Sequence, residues 1–257
     1  MQNDRPFSRR LIGMLTPSSN TVLEPYTSLL LEPMFPEVTA HFGRFRVTRI
    51  ALDEGASEQF RQEPILAAAE LLADARVDVL AWNGTSASWL GFDTDERLCE
   101  ALHARTGIRA TSAILGLNGL IEERSVKRLA LVTPYTPDVG ERIAANYASI
   151  GVSVVAGIHC GLSDNFSFAE ISEAQIAAMC EDVAAAKPDA IAIVCTNMRG
   201  AVVGAEMERR IGIPVYDSVS TTLWGCLRAL DVATDPLVRF GSMFATPRAS
   251  EMALPAE

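Results

Sequence analysis

The sequence predicts an α/β fold made of two similar halves, each a parallel sheet flanked by helices. Short apolar runs alternate with longer segments of helical spacing along the chain, which is typical of parallel sheets with helices on both faces. Three short signatures of the first half also recur, in the same order, in the second half. Two such halves with their strand ends facing each other enclose a cleft, where we expect the active site.

The internal repeat rests on three pairs of matching segments, separated by 117, then 111, then 105 residues. Small loop deletions would produce this steady decrease in the separation between matching segments. Generic α/β features are the alternative explanation for each pair taken alone, but their common order favours a duplication. We expect one half to comprise residues 1–115 plus 217–257 and the other 116–216. The pairs are 15–17 with 132–134, 78–86 with 189–197, and 106–108 with 211–213.

The first half contains four predicted strands and four predicted helices. The runs 11–15, 77–82 and 108–114 indicate strands, and residues 38–50 alternate in part like a half-buried strand. Apolar spacing predicts helices over 64–75, 95–105 and 116–123, and another begins near residues 21–24. Gly107 provides a helix stop. The polar segment 53–63 is expected to form a mobile flap.

The second half repeats this order. Strands are predicted over 128–132, 152–158, 189–194 and 213–218. Helices are predicted over 139–150, over 172–186 with Ser172 as its cap, up to residue 211, and over 221–230. The tail after residue 231 has few strong signals.

Composition and charge exclude several classes of function. The 257 residues carry a net charge of −10, which disfavours nucleic acid and anionic membranes as partners. No apolar run approaches the about 20 residues of a membrane span, and the polar N-terminus lacks a signal-peptide core. Five cysteines without metal-type pairing favour a reducing cytoplasm. No phosphate loop and no metal-ligand spacing occur, so we expect no nucleotide, no metal and no other cofactor.

The candidate catalytic residue is Cys195, where the apolar run 190–194 ends abruptly in Cys-Thr-Asn. A buried parallel strand delivers reactive groups to its carboxyl end in this way. A cysteine there acts as a thiolate nucleophile or base, or as a thiol that protonates a carbanion. The alternative is an inert buried cysteine. The strand-end setting favours a function for Cys195, whereas the other four cysteines have no comparable neighbours.

Neutral hydrogen-bond donors lie at the other motif ends, that is, in the segments that follow the predicted strands. Such donors suit a carboxylate that becomes an enediolate, because they stabilise developing charge without quenching it. The polar segment 16–21 after the first predicted strand is called the first loop. Its residues Ser18 and Asn20 either cap the following helix or contact ligand. Trp82, Trp89, Leu90 and Phe92 either line an apolar pocket or pack in the core. The donors are Thr85, Ser86, Thr196, Asn197, Tyr135 and Asn20.

These residues resemble the aspartate/glutamate racemase superfamily over nearly the whole chain. The segment Pro17-Ser18-Ser19-Asn20-Thr21, Tyr135 and Asp164-Asn165 resemble its maleate cis-trans isomerase branch. Gly84-Thr85-Ser86 with a lone Cys195 resembles its arylmalonate decarboxylase branch. The resemblance implies two pseudo-symmetric Rossmann-like (flavodoxin-like) halves, a cofactor-independent enzyme, and a small carboxylic or dicarboxylic acid substrate. It also favours a homo-oligomer, although the sequence leaves the oligomeric state open.

The resemblance implies roles for individual residues. Thr85, Ser86 and Tyr135 would hold the enediolate oxygens, with the backbone N–H groups of Cys195 and Thr196. Cys195 would protonate the intermediate from one face. In the isomerase branch, two asparagines that match Asn20 and Asn165 bind the substrate carboxylate.

Gly84 stands where the isomerase branch has its first cysteine, and this departure orders the hypotheses. One thiol is sufficient for decarboxylation followed by protonation from one side, so a decarboxylase is the leading hypothesis. The alternatives are a maleate-isomerase-like enzyme with Cys195 as nucleophile, a racemase-family isomerase of the ectoine-utilisation type, and a non-catalytic carboxylate binder. If the strand ends face one substrate, Gly84→Cys alone is expected to introduce racemase activity.

Overall fold

The computed structural model describes residues 9–50 and 62–246. This part of the chain forms two four-stranded parallel sheets with the strand orders β2-β1-β3-β4 and β6-β5-β7-β8. The two orders correspond position for position and follow the flavodoxin-like pattern. The prediction of two similar α/β halves is therefore confirmed. The strands are β1 Arg10–Pro17, β2 Val38–Phe45, β3 Val79–Trp82, β4 Arg109–Ser112, β5 Arg128–Thr133, β6 Ser153–His159, β7 Ala190–Ile193 and β8 Val215–Asp217.

Helices follow the strands in both halves, and most lie within two or three residues of their predicted positions. Ser172 begins one of them with a capping box, and Gly107 ends another in the left-handed conformation with φ +74°. The helices are α1 Leu23–Leu31, α2 Gln62–Asp74, α3 Ala87–Leu90, α4 Asp93–Thr106, α5 Ala113–Glu123, α6 Pro137–Ser149, α7 Glu173–Ala184, α8 Gly200–Ile211 and α9 Ser218–Ala229.

The central strands β3 and β7 are buried along their entire lengths. Each is flanked by a strand on both sides, which accounts for their continuous apolar sequences. Polar residues follow both strands, Asn83 directly after β3 and Thr196 three residues after the end of β7, and these residues are also buried. The core therefore reaches up to the strand ends and encloses the polar groups there.

The strand predicted over residues 38–50 is too long, because β2 ends at Phe45. The following residues leave the first sheet and bond to a loop of the second half. The N–H of Ile50 donates to the carbonyl of Ser163 at 2.8 Å, and the N–H of Asn165 donates to the carbonyl of Thr48 at 3.0 Å. Residues 46–50 thus connect the two halves.

Two parts of the described structure were not predicted, and one prediction lies mostly outside it. The four-residue helix α3 is too short for its apolar spacing to be recognised. The chain after residue 231 forms two 3-10 helices, Asp235–Phe240 and Ser242–Phe244, that the sequence did not indicate. The predicted flap lies outside the described residues from 53 to 61, and its last two residues begin α2.

Helices α5 and α9 pack closely across the junction of the halves, and α9 also packs on β3 and β4 of the first sheet. Two glycines permit this approach. A Cβ atom built in ideal geometry on Gly225 would lie 3.4 Å from the Gly116 Cα. The hydroxyl of Thr221 donates to the carbonyl of Ala113 at 3.3 Å. This packing supports assigning 217–257 to the first half, a division of the chain that stays a prediction.

We predict that Gly116→Ala lowers stability, although alanine is the better helix former by about 1 kcal/mol. A methyl group at this position overlaps the Thr221 carbonyl oxygen and lies 3.0 Å from its carbon. Gly119→Ala in the same helix is the control, because its methyl group meets only the Trp224 ring, at 3.3 Å. Urea unfolding should give a loss of about 1–3 kcal/mol for Gly116→Ala relative to Gly119→Ala. Equal stabilities would contradict this account of the helix contact.

Candidate active site

The ends of β3 and β7 are joined directly across the two halves. The hydroxyl of Thr196 donates to the carbonyl oxygen of Asn83 at 2.9 Å. The side-chain amide of Asn20 donates to the same hydroxyl at 3.2 Å. The three polar motif ends therefore meet at one place, at the carboxyl ends of the parallel strands.

Cys195 is buried beside this junction, with 3% of its surface exposed. Burial raises the pKa of its thiol to about 12, and the Asp217 carboxylate adds to that increase. The N–H of Asn197 donates to its sulfur at 3.3 Å, and the Tyr135 hydroxyl hydrogen-bonds to it; both contacts act to lower the pKa. Burial dominates, so the group is a neutral thiol at physiological pH.

Tyr135 connects the thiol to the first half. Its hydroxyl lies 2.6 Å from the Thr85 hydroxyl, and burial raises its pKa well above the ordinary value. Its ring packs edge-on against Trp89 and Phe168, with centroids 5.1 and 5.5 Å away. Ser86 follows Thr85 in the chain and is equally buried. Thr85 and Tyr135 thus lie beside Cys195, whereas Ser86 lines a cavity with Trp82 and Asp95.

Asn20 caps the following helix, as one interpretation of the first loop predicts, and also bonds to the second half; contact with a ligand stays a prediction. Its side-chain oxygen accepts the backbone N–H groups of Val22 and Leu23 at 2.9 and 2.8 Å, where α1 begins. Its amide nitrogen faces the second half through Thr196. The loop therefore starts a helix and contributes an amide to the cleft.

Asn197 and Asn165 hold the loops around the cleft together. The side chain of Asn197 accepts the N–H of Thr21 at 2.9 Å and donates to the Asn165 carbonyl at 2.6 Å. The amide of Asn165 donates to the hydroxyl of Ser19 at 2.7 Å. Asn165 and Asn20 therefore lie on the same side of the cleft, around the first loop.

Ser18 and Pro17 are placed differently from the other predicted residues. Ser18 is exposed, and its hydroxyl accepts the Val47 N–H at 3.2 Å and lies 3.3 Å from the Val47 carbonyl. It anchors the loop to the segment that connects the halves. Pro17 is the buried last residue of β1. The backbone N–H of Cys195, expected to face substrate, instead points to the Ile193 carbonyl at 3.3 Å.

Gly84 carries no side chain, and the space beside it is filled. A Cβ built on Gly84 overlaps atoms Cζ2 and Cε2 of the Trp82 indole and lies 2.8 Å from Cη2. The indole is 1% exposed and lies 5.1 Å, between ring centroids, from Phe45. Trp82 is therefore a core residue whose indole also covers Gly84, just after the end of β3.

The model of the arylmalonate decarboxylase family matches residues 13–239. This chain belongs to the arylmalonate decarboxylase family. It is 27% identical over 237 residues to arylmalonate decarboxylase of Bordetella bronchiseptica, covering 91% of this chain and 95% of that protein. It is 25% identical over 236 residues to a maleate isomerase of Geobacillus stearothermophilus, covering 87% and 92%. Both resemblances drawn from the motifs are confirmed, and the chain is an enzyme of this decarboxylase and isomerase group.

Solved structures show the same fold. A cysteine-to-serine mutant of Nocardia farcinica maleate cis-trans isomerase, with a covalently bound succinylcysteine intermediate, superposes with a TM-score of 0.83 at 23% identity. The alignment covers 93% of this chain and 99% of that one. The two-half α/β architecture is therefore that of the family.

Asp217 is a residue of this site that the sequence analysis did not single out. It ends β8 and caps α9, where its Oδ1 accepts the N–H groups of Val219 and Ser220 at 2.8 and 3.1 Å. Burial raises the pKa of its carboxyl to about 7. The signal was present, because Asp217 ends an apolar strand just as Cys195 does.

The first half of this family member contains a matching buried carboxyl, supplied from a different element. At the repeat offset of 105 residues, Asp95 corresponds to Gly200, and Ser112 corresponds to Asp217. In the first half, Ser112 caps α5 and Asp95 hydrogen-bonds to it from α4. In the second half, Asp217 is both cap and carboxyl, and Gly200 leaves room for its Oδ2. Burial raises the pKa of Asp95 to about 7 as well.

Two features are not seen in the described residues. Across 9–50 and 62–246, no three His, Cys, Asp or Glu side chains are grouped so as to hold a metal ion. None of the helices in these ranges combines the length and apolarity that crossing a membrane requires.

We predict that Asp217 makes stability depend on pH between about 4 and 7. Its pKa rises from 3.8 to about 7 on folding, so its contribution to stability is complete below pH 3.8 and is lost as pH rises through 7. Asp217→Asn keeps the capping oxygen but does not titrate. Relative to this variant, the wild type should lose roughly 2–4 kcal/mol in urea unfolding between pH 4 and pH 8.

The control for this experiment is Asp182→Asn, which changes an exposed carboxylate of α7. Its unfolding free energy should follow the wild-type pH profile. A wild-type profile parallel to that of Asp217→Asn would show that the Asp217 carboxyl does not stay protonated in the folded protein.

Proposed function

We propose that this protein is a cofactor-independent decarboxylase of a small dicarboxylic acid, in which Cys195 protonates an enediolate from one face. The observation that carries the proposal is a buried thiol beside the paired hydroxyls of Thr85 and Tyr135, and burial raises the pKa of that thiol to about 12. The glycine at the opposite strand end, Gly84, supports it further, because protonation after decarboxylation needs one thiol and racemisation needs two.

The proposed reaction assigns each group one task. The hydroxyls of Thr85, Ser86 and Tyr135 bind the carboxylate that the substrate keeps. The bond to the other carboxyl breaks, carbon dioxide leaves, and its electron pair moves into the retained carboxylate as an enediolate. The three neutral donors stabilise the charge that develops on the two oxygens. The Cys195 thiol then gives its proton to carbon, and the resulting thiolate regains a proton from solvent.

The state of the thiol favours this direction of proton transfer. A group with a pKa of about 12 is a poor thiolate at neutral pH but a competent acid toward a carbanion, which is far more basic. We assign Asn20 and Asn165 to the second carboxylate, because the Asn20 amide bonds to Thr196, the neighbour of Cys195, and the Asn165 amide bonds to Ser19 in the same loop as Asn20. This assignment supports a dicarboxylic rather than a monocarboxylic acid.

The second candidate is a maleate-isomerase-like reaction, favoured by the same Asn20 and Asn165 arrangement and by maleate isomerases among the relatives. Cys195 would then attack the double bond as a thiolate, rotation would follow, and the thiolate would leave again. The raised pKa of Cys195 disfavours this reaction, since the thiol must first lose its proton. A racemase-family isomerase and a carboxylate binder without turnover are the remaining outcomes of the test.

We also propose a cytoplasmic location. All five cysteines are free thiols, including Cys99 and Cys160, which are only partly buried. Free thiols of this kind are typical of reducing compartments.

The proposal is tested by a proton NMR time course in D₂O with 2-substituted malonates and maleate. We expect loss of one carboxyl group from a malonate and one deuterium on the product carbon. Cys195→Ala should abolish this turnover. Cys226→Ala is the matched control, because it removes a buried thiol of α9, and it should retain activity. Turnover retained in Cys195→Ala, or conversion of maleate to fumarate alone, would overturn the decarboxylase proposal. Thermal stabilisation by dicarboxylates without any product would indicate a binder.

We predict that Tyr135→Phe lowers kcat/KM by about 10²–10³-fold, because it removes a donor to the developing oxyanion. Its fold should persist, since the ring still packs on Trp89 and Phe168. Tyr147→Phe is the control: it changes an equally buried tyrosine in α6 and should leave kcat/KM within about twofold of wild type. A similar loss in both variants would indicate a packing effect and not a role for the Tyr135 hydroxyl.

A further inference from the structure

The Trp82 indole occupies the position that a side chain at residue 84 would take. By the repeat, Gly84 corresponds to Cys195 and Trp82 corresponds to Ile193. In the second half, the smaller Ile193 stands at the corresponding position, and the Cys195 side chain hydrogen-bonds to Tyr135. In the first half, any Cβ at residue 84 overlaps the indole. The two halves thus differ by a packing exchange, not by the loss of one thiol alone.

The position of the Trp82 indole beside Gly84 is set by its strand and by a neighbouring aromatic ring. Trp82 is paired with Leu15 in the first sheet and packs on Phe45 at an interplanar angle of 42°. It also forms one wall of a cavity of about 220 Å³. The ring therefore stands between this cavity and Gly84. The cavity is further lined by Ser86, Leu90, Thr94, Asp95 and Leu98.

We propose that Trp82 is a positioning residue that fills the space beside Gly84, so that no side chain at residue 84 can place a second proton donor opposite Cys195. The stereochemical part of this proposal rests on the proposed function, and the steric part concerns the folded protein alone. It follows that Gly84→Cys by itself, expected from the sequence to introduce racemase activity, places a side chain where the indole already lies. A second thiol requires a smaller residue at position 82 as well.

The steric part is tested by a double-mutant cycle of melting temperatures with Gly84→Ala, Trp82→Leu and the double variant. We expect Gly84→Ala to lower Tm by about 5 °C or more in the wild-type background and by less than half as much beside Trp82→Leu. Trp82→Phe replaces Trp82→Leu if the leucine variant does not fold. The control cycle pairs Trp82→Leu with Gly119→Ala, whose methyl group meets Trp224, and its effects should add.

Two outcomes of the cycle overturn the steric part. One is an equal cost of Gly84→Ala in both backgrounds. The other is failure of both the Gly84→Ala and the double variant to fold, because the indole is then not what excludes the side chain. Folding of the double variant when Gly84→Ala alone does not fold supports it.

The stereochemical part is tested with Trp82→Leu/Gly84→Cys on a malonate that the wild type converts in D₂O. The wild type and Trp82→Leu should give one enantiomer, whereas the double variant should give both and exchange the α-hydrogen of either product. A single enantiomer from a folded double variant with two titratable cleft thiols would overturn it. If the wild type converts no malonate, the proposed function fails, and the melting cycle still decides the steric part.

Discussion

The hydrogen bond from Thr196 to the carbonyl of Asn83 is the contact on which the active site depends. It joins the ends of two buried central strands, so the position of each motif is set by the other half of the molecule. Asn20 bonds to the same hydroxyl, and Asn197 bonds to the loops on either side. Because these groups are buried, each lost contact would leave an unpaired polar group, which costs more than the bond itself contributes. These bonds therefore fix the positions of the motif ends relative to one another.

The duplicated halves have diverged by exchanges that conserve packing. The first half has a large side chain at Trp82, none at Gly84, and its carboxyl on a helix at Asp95. The second half has a smaller residue before its thiol, and its carboxyl stands on the strand at Asp217, opposite a glycine. Cores tolerate sets of substitutions that keep volume and pattern better than single changes. The difference between the halves at this place, a thiol in one and an indole beside a glycine in the other, is thus part of how each half fills its core.

The sequence was sufficient for features that depend on one strand and its end. The alternation of short apolar runs with segments of helical spacing predicted both sheets. The abrupt polar ends of the apolar runs led to Cys195 and Thr85. It was insufficient where an element is held by a distant one. The strand from Val38 was predicted too long because the residues after Phe45 bond to a loop more than 100 residues away. The covering of Gly84 by Trp82 depends on a side-chain direction that apolar spacing does not encode.

Electrostatics then decide which chemistry suits Cys195. No charged donor faces the thiol among the described contacts, and its hydrogen bonds come from the backbone N–H groups of Asn197 and Met198 and from the Tyr135 phenol. When Asp217 ionises, near neutral pH, its charge raises the pKa of the thiol further. Both protonation states of Asp217 therefore keep the sulfur protonated. Nucleophilic attack needs the thiolate, which both burial and the Asp217 charge disfavour. Proton donation needs the neutral thiol, which both of them favour. In the proposed reaction, the second half of the molecule holds a proton on Cys195 until a carbanion takes it.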